Sequence, residues 1–328
     1  MSVRARHLTA YAAAMFSLML LQILTTLVAD KLSYYHLEIF YTLLSQVFCM
    51  GIVPLVVLLI LRRKVSSVSE TFRYLRYRKP KDTKVTVLAS LGIVAAIVPF
   101  TMAFNALGRL VLTIIGYKSS VTVGTIYGGV GDLFLSLFLT AVLPALFEEF
   151  SHRGVLLSGL EDRGSEKTAI ILSAVLFGLM HENPSQMVFT TFGGIVFGIA
   201  VVKTGSLIPG IIGHFANNAI SVLLDYSTQR KTKFGVWYDA VSSRNNALSL
   251  LLTVFIMAAA VYAIVLILQY LARKSEKPVS ERKILGLIPV DGFNPNGKPT
   301  LKDNISLYAV MIAESCMLLF LLIWGILR

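Results

Sequence analysis

Residues 131–160 read GDLFLSLFLTAVLPALFEEFSHRGVLLSGL. Past Asp132 the stretch stays apolar, broken only by Ser136, Thr140 and Pro144. It then turns sharply polar at Glu148-Glu149 and His152-Arg153, and closes apolar again through Leu160. As a helix rising 1.5 Å per residue it reaches roughly 45 Å, more than the ~30 Å hydrocarbon core of a bilayer. A charged side chain at that depth costs on the order of 2.5 to 3.5 kcal/mol on insertion scales, so these groups call for partners and a purpose.

The rest of the chain supports the membrane reading. Of 328 residues 55% are apolar and only 15% charged, against about a quarter in soluble domains. Apolar runs recur from end to end: about 8–29, 35–61, 85–115, 131–160, 168–181, 186–203, 206–225, 247–272 and 305–327. The fold class is all-α, a polytopic transmembrane bundle of about eight or nine spans. The first run is too long for a secretory signal region and lacks a small-residue cleavage site, so it reads as an uncleaved helix. Pro99 is expected to kink the long third run, and Pro144, one turn before Glu148, to free a backbone carbonyl and bend the fourth. Residues 227–246 read as a polar loop. Gly194-x-x-x-Gly198 allows close helix approach. Cys49 and Cys316 both lie in apolar runs and read as free buried thiols.

The net charge of +12 sits mainly in short loops, which points away from nucleic acid, with a nucleic-acid or partner contact at 62–84 as the alternative to lipid headgroups. With the N-terminus inside and the runs threaded alternately, segments 1–7, 62–84, 161–167, 203 and 273–304 hold 21 Lys/Arg, against 7 outside. Arg109 and Arg153 lie within spans. This bias puts the N-terminus in the cytoplasm of a multi-pass cell-membrane protein, with anionic lipids as partners of the basic loops 62–84 and 273–304. Residues 1–130 supply N-terminal helices, 131–226 a polar core, and 227–328 C-terminal helices.

Within that core, Glu149 and Arg153, Glu148 and His152, Phe177 and His181, and His214 and Asn218 are each four apart and so share helix faces. Glu148 lies roughly 18 Å, His181 roughly 20 Å and His214 roughly 12 Å from the inner ends of their helices, near one level. Leaving each unpaired in lipid is costly, so they are expected to converge. His181-Glu182 does not continue into the zinc motif His-Glu-x-x-His, because Ser185 holds the fifth place and Pro184 breaks the helix.

Glu148-Glu149-x-x-x-Arg153, Phe177-x-x-x-His181 and His214-x-x-x-Asn218, in that order, resemble the three motifs of the CPBP family. That family comprises type II CAAX prenyl endopeptidases and the bacteriocin-processing or immunity proteases, also called Abi proteins. The wording around the motifs resembles bacterial members; His152 departs from the pattern, which has an aromatic or apolar residue there. The resemblance implies a membrane-embedded endopeptidase whose site residues are Glu148, Glu149, Arg153, His181, His214 and Asn218. In this reading Glu148 is the general base on a water, His181 shares or orients that water, and Glu149 with Arg153 holds the helix in register. His214 and Asn218 either donate to the oxyanion or complete a metal site of Glu148, His181, His214 and Asn218 for a divalent ion such as zinc. The substrate is a peptide or membrane protein: a CAAX-type C-terminus, a leader peptide, or another membrane chain. The alternatives are an ion-coupled transporter with Glu148 and the histidines as a proton relay, against which the absence of an internal repeat counts, and a non-catalytic membrane regulator.

Overall fold

Hydrocarbon offers backbone N–H and C=O groups no partners, so long apolar runs must satisfy them internally, as helices. A computed structural model of the chain describes residues 1–28, 34–61, 68–114, 116–117, 127–162, 164–242, 247–275 and 298–327, and every regular element among them is helical. Helix α1 (Val3–Val28) is followed by α2 (Tyr34–Leu43), which runs through a π-helical stretch, Leu44–Ile52, into α3 (Val53–Leu61). After the short α4 (Val68–Tyr74) comes α5 (Thr83–Ile114), one helix that carries Pro99 inside it. The next crossing joins α6 (Val130–Ser136), α7 (Leu143–Glu149) and α8 (Leu157–Glu161) through π-helical stretches at Leu137–Val142 and Phe150–Leu156. Then follow α9 (Glu166–Leu179), α10 (Pro184–Thr204), α11 (Ile208–Gln229), α12 (Lys233–Ser242), α13 (Ala247–Lys274) and α14 (Leu301–Leu327).

Among the described residues seven helical passages are long and apolar enough to cross a membrane. Helix α9 is too short at 14 residues, and α11 carries the polar His214, Asn217 and Asn218, yet both pack among the others. The polar loop expected over 227–246 contains a helix, α12. Pro99, expected to kink the third run, lies inside α5, which is one helix across it. Cys49 is buried as expected, whereas Cys316 lies on an exposed face. That face belongs to the outer surface: α13 presents Leu251, Phe255 and Tyr262 outward, and α14 presents Ile312 and Phe320, a surface suited to lipid. Residues 62–67 and 276–297, which hold parts of the two basic loops, lie outside the described residues.

The helix ends assigned to one side by charge counting meet on one face. Ser2 donates to Asp303. Arg4 Nε donates to Asn304 Oδ1 at 2.7 Å and Arg4 Nη1 to the Leu160 carbonyl at 2.7 Å. Lys203 pairs with Glu166 at 2.7 Å, and Arg78 Nε donates to the Gly205 carbonyl at 2.6 Å. Not every base there is free for headgroups. Arg4, Arg6 and Arg76 are buried, while Arg73, Lys79, Lys81 and Lys84 remain exposed. Arg76, at φ +66°, is turned inward to pair with Glu161 at 2.5 Å and to donate to Ser158 Oγ and the Arg153 carbonyl.

Two prolines shape the passages around the polar core. Pro54 and Pro144 each lack the N–H that would bond the carbonyl four residues back, and each follows a π-helical stretch. Both freed carbonyls find side chains on other helical passages. Ser151 Oγ donates to the Met50 carbonyl at 3.1 Å, and Asn218 Nδ2 to the Thr140 carbonyl at 2.9 Å.

Small residues let α9 and α10 approach. A Cβ added at Gly194 would sit 3.0 Å from Ala174 Cβ, one at Gly198 would sit 3.3 Å from Ile170 Cγ2, and one at Gly178 would lie 2.7 Å from the Met187 carbonyl oxygen. Because the last obstacle is backbone, Gly178→Ala is expected to lower the thermal midpoint of the detergent-purified protein. Thr191→Ala, which clears only the neighbouring side chain, should not restore it; recovery in that double variant would show that the backbone is not the constraint.

Candidate active site

Glu148 and Glu149 end α7 and, about 100° apart around the helix, reach different surroundings. Glu149 is fully buried. Its Oε1 pairs with Arg153 Nη1 at 2.9 Å and accepts from His214 Nδ1 at 3.1 Å. Arg153 in turn lies over the Phe177 ring, 4.3 Å from its centroid, and its Nη2 reaches toward the Gly194 carbonyl at 3.4 Å. Helix α11 comes in against Glu149 Oε2 at Gly210, where a Cβ would collide with the carboxylate. One carboxylate thereby ties together α7, the π-helical stretch after it, α9, α10 and α11.

Glu148 is less committed. Its Oε1 accepts from Gln46 Nε2 at 2.8 Å. Its Oε2 is buried, and no hydrogen-bond donor among the described residues reaches it. His214 Nε2 stands 3.8 Å from that oxygen, beyond hydrogen-bond range but close enough for one water to touch both. His181 Nδ1 lies 2.7 Å from the Phe177 carbonyl, so Nδ1 carries the hydrogen and Nε2 is left to accept. Phe177 is the hub of the histidines: its ring meets His152, His181 and His214 edge-on at centroid distances of 5.1, 5.0 and 5.7 Å.

The structure thus brings Glu148, Glu149, Arg153 and His214 into direct contact and joins His181 to them through Phe177. Asn218 stands apart from the acids. Its Nδ2 is bonded to the Thr140 carbonyl and its Oδ1 accepts from Asn217 at 3.3 Å, leaving the second Nδ2 hydrogen available. His152 is a structural group: Nδ1 donates to the Glu148 carbonyl and Nε2 accepts from Tyr11 of α1, both at 3.1 Å. Toward the face where the basic segments meet, the site is backed by buried Arg76, whose Nη1 donates to the Arg153 carbonyl at 2.7 Å. His181 and Asn218 are its partly exposed members.

Three contributors escaped the sequence reading. Gln46 left a trace, as the one amide between Phe40 and Leu61. Tyr11 left none. Arg76 was hidden among the lysines and arginines of a basic loop.

A divalent ion would have to draw on Glu148, His181, His214 and Asn218. Among the described residues no three His, Cys, Asp or Glu side chains are grouped to hold a metal, and Asn218 is engaged with Thr140 and Asn217. As placed, the donor set does not fit zinc.

Residues 130–220 match the family described as type II CAAX prenyl endopeptidase Rce1-like. The matched segment carries all three motifs, and the family it is similar to is one of CAAX-type endopeptidases. Neither a curated protein nor a solved structure matches the chain.

The Glu149–Arg153 pair gives a direct test. Arg153→Met leaves a buried carboxylate uncompensated, a loss of about 3–5 kcal/mol, and is expected to lower the unfolding midpoint steeply. Glu149→Gln/Arg153→Met removes the charge and keeps an acceptor for His214, and should recover part of that loss. A double variant no more stable than Arg153→Met would show the pair to be uncoupled.

Proposed function

We propose that this chain, with its Rce1-like type II CAAX endopeptidase segment at residues 130–220, hydrolyses a peptide bond of a membrane-associated peptide or protein by means of a water activated by Glu148. One observation carries the reading. Of two adjacent buried carboxylates, Glu149 is held by Arg153 and His214, while Glu148 Oε2, beside His214, meets no donor among the described residues. A carboxylate oxygen kept free in a dry, shaped site is what a general base needs.

The steps follow from the contacts. Glu148 Oε2 takes a proton from the water as the water oxygen bonds to the scissile carbonyl carbon. His181, with Nε2 free, accepts from that water and orients it. The carbonyl oxygen becomes an oxyanion, which receives the second Nδ2 hydrogen of Asn218. As the intermediate collapses the C–N bond breaks. The proton held on Glu148 passes to the departing nitrogen, leaving a carboxylic acid and an amine. Glu149 and Arg153 take no proton; they hold His214 and the helix register. No step runs through a metal.

Substrate approaches past His181 and Asn218, the partly exposed members of the set. The substrates that suit this reading are a CAAX-type C-terminus, the leader of a secreted bacteriocin-like peptide as in Abi proteins, or a segment of another membrane protein. The 21-to-7 distribution of Lys and Arg supports a cell-membrane protein with its N-terminus and basic face in the cytoplasm, where the exposed Arg73, Lys79, Lys81 and Lys84 meet anionic lipid.

The test uses the full chain in lipid nanodiscs with a quenched, membrane-anchored fluorescent peptide. Glu148→Ala and His181→Ala are expected to lose about 100-fold or more in turnover while unfolding at the wild-type midpoint. Unaltered cleavage by Glu148→Ala would end the reading. A divalent-metal chelator is expected to leave turnover unchanged. Loss that zinc restores would instead assign Glu148, His181, His214 and Asn218 to a metal site.

A further inference from the structure

We propose that Gln46, which lies outside the matched segment 130–220, is a positioning residue of this reaction: it decides which oxygen of Glu148 receives the proton. The inference rests on the hydrolytic reading above and extends it to the second crossing. Gln46 sits in the π-helical stretch Leu44–Ile52 ahead of Pro54, and its Nε2 donates to Glu148 Oε1 at 2.8 Å. An ionised carboxylate only accepts, so the amide nitrogen must face it; turning the amide over would set two acceptors against each other. Gln46 Oε1 is buried, and no donor among the described residues reaches it. Hydrogen bonding to that oxygen therefore does not fix the amide, and Glu148 itself is the contact that does.

The consequence is a matter of hydrogen-bond counting. With an N–H already directed at Oε1, a proton added there would face that hydrogen. Oε2 has no competing donor and stands 3.8 Å from His214 Nε2, on the side of the reacting groups. The proton taken from water lands on Oε2. It stays beside the substrate and can return to the departing nitrogen. Without Gln46 the carboxyl group can turn, or hold its proton on Oε1, where it is lost to the second half of the reaction.

The geometry also explains why so long a polar side chain sits in the middle of an apolar crossing. The freed Met50 carbonyl is met by Ser151, two residues beyond Glu149, so the stretch that carries Gln46 is pinned to the stretch that follows the carboxylates. A Cβ on Gly51 would collide with the Phe147 ring at 2.7 Å, so the two passages are in close contact at this level. The donor is held on rigid elements, as a positioning group requires.

The test compares wild type, Gln46→Met and Gln46→Leu, all as full chains in nanodiscs, with the same quenched peptide. Both Gln46 variants are close in volume to the original, and neither offers an N–H to the carboxylate. We expect kcat to fall about 10-fold or more, with KM within about threefold of wild type and no fall in the unfolding midpoint. Independently of turnover, the carboxylate stretch of Glu148, assigned by its disappearance from the infrared spectrum of Glu148→Gln, should shift in Gln46→Met. Should Gln46→Met fail to fold, Gln46→Leu carries the same kinetic expectation. Cleavage that Glu148→Gln abolishes but both Gln46 variants retain at wild-type kcat overturns this inference alone. A rise in KM at unchanged kcat overturns it too, since that marks a substrate contact. Cleavage that survives Glu148→Gln, or no cleavage by wild type, sinks the hydrolytic reading and this inference with it.

Discussion

A backbone carbonyl left without its helical N–H inside a bilayer has to find another donor within the protein. Pro54 and Pro144 create two such carbonyls, at Met50 and Thr140, and the bundle meets them with Ser151 and Asn218. The donors come from the stretch just after Glu149 and from α11, while the prolines sit in α3 and α7. Satisfying the backbone therefore fixes how the crossings stand against one another. The π-helical stretches before each proline let the chain accept the break without leaving the helical path. The polar residues of the site are set on this frame, and Asn218 belongs to both: one hydrogen of its amide serves the backbone and the other stays available.

The second constraint is the cost of buried charge. Glu149 is tolerable at full burial because Arg153, His214 and the ring of Phe177 share its surroundings. Among the described residues its neighbour Glu148 receives a single donor, from Gln46. Two residues adjacent in sequence thus differ because a helix turns about 100° between them. One faces the cation and the other the gap beside His214. That asymmetry gives a rigid pair and a carboxylate with one open oxygen from the same two letters.

The flanking helices complete the core. Tyr11 of α1 supports His152, which caps the Glu148 carbonyl, and Arg4 of α1 holds the end of α8 through the Leu160 and Asp162 carbonyls. Arg76 reaches in from the basic segment to the Arg153 carbonyl and Glu161. His152, polar where the motif has an aromatic or apolar residue, is accommodated because α1 brings it a phenol. These supports come from residues far from the motifs.

Much of this was legible in the letters. Polar side chains at four-residue spacing within apolar runs show helix faces, because in hydrocarbon only a partner makes them affordable. The lysines and arginines of the loops show which helix ends share a face, and that grouping is the one the bundle has. Pro144 announces a freed carbonyl, since a proline carries no N–H. The sequence could not say which donor answers it, which of two carboxylates stays open, or that Arg76 turns inward while nearby lysines do not. Gln46 stood as an unexplained amide, and Tyr11 as one aromatic among many. These are decided by distances of about 3 Å between residues tens to hundreds of positions apart, and only the packing of the helices brings such groups within reach.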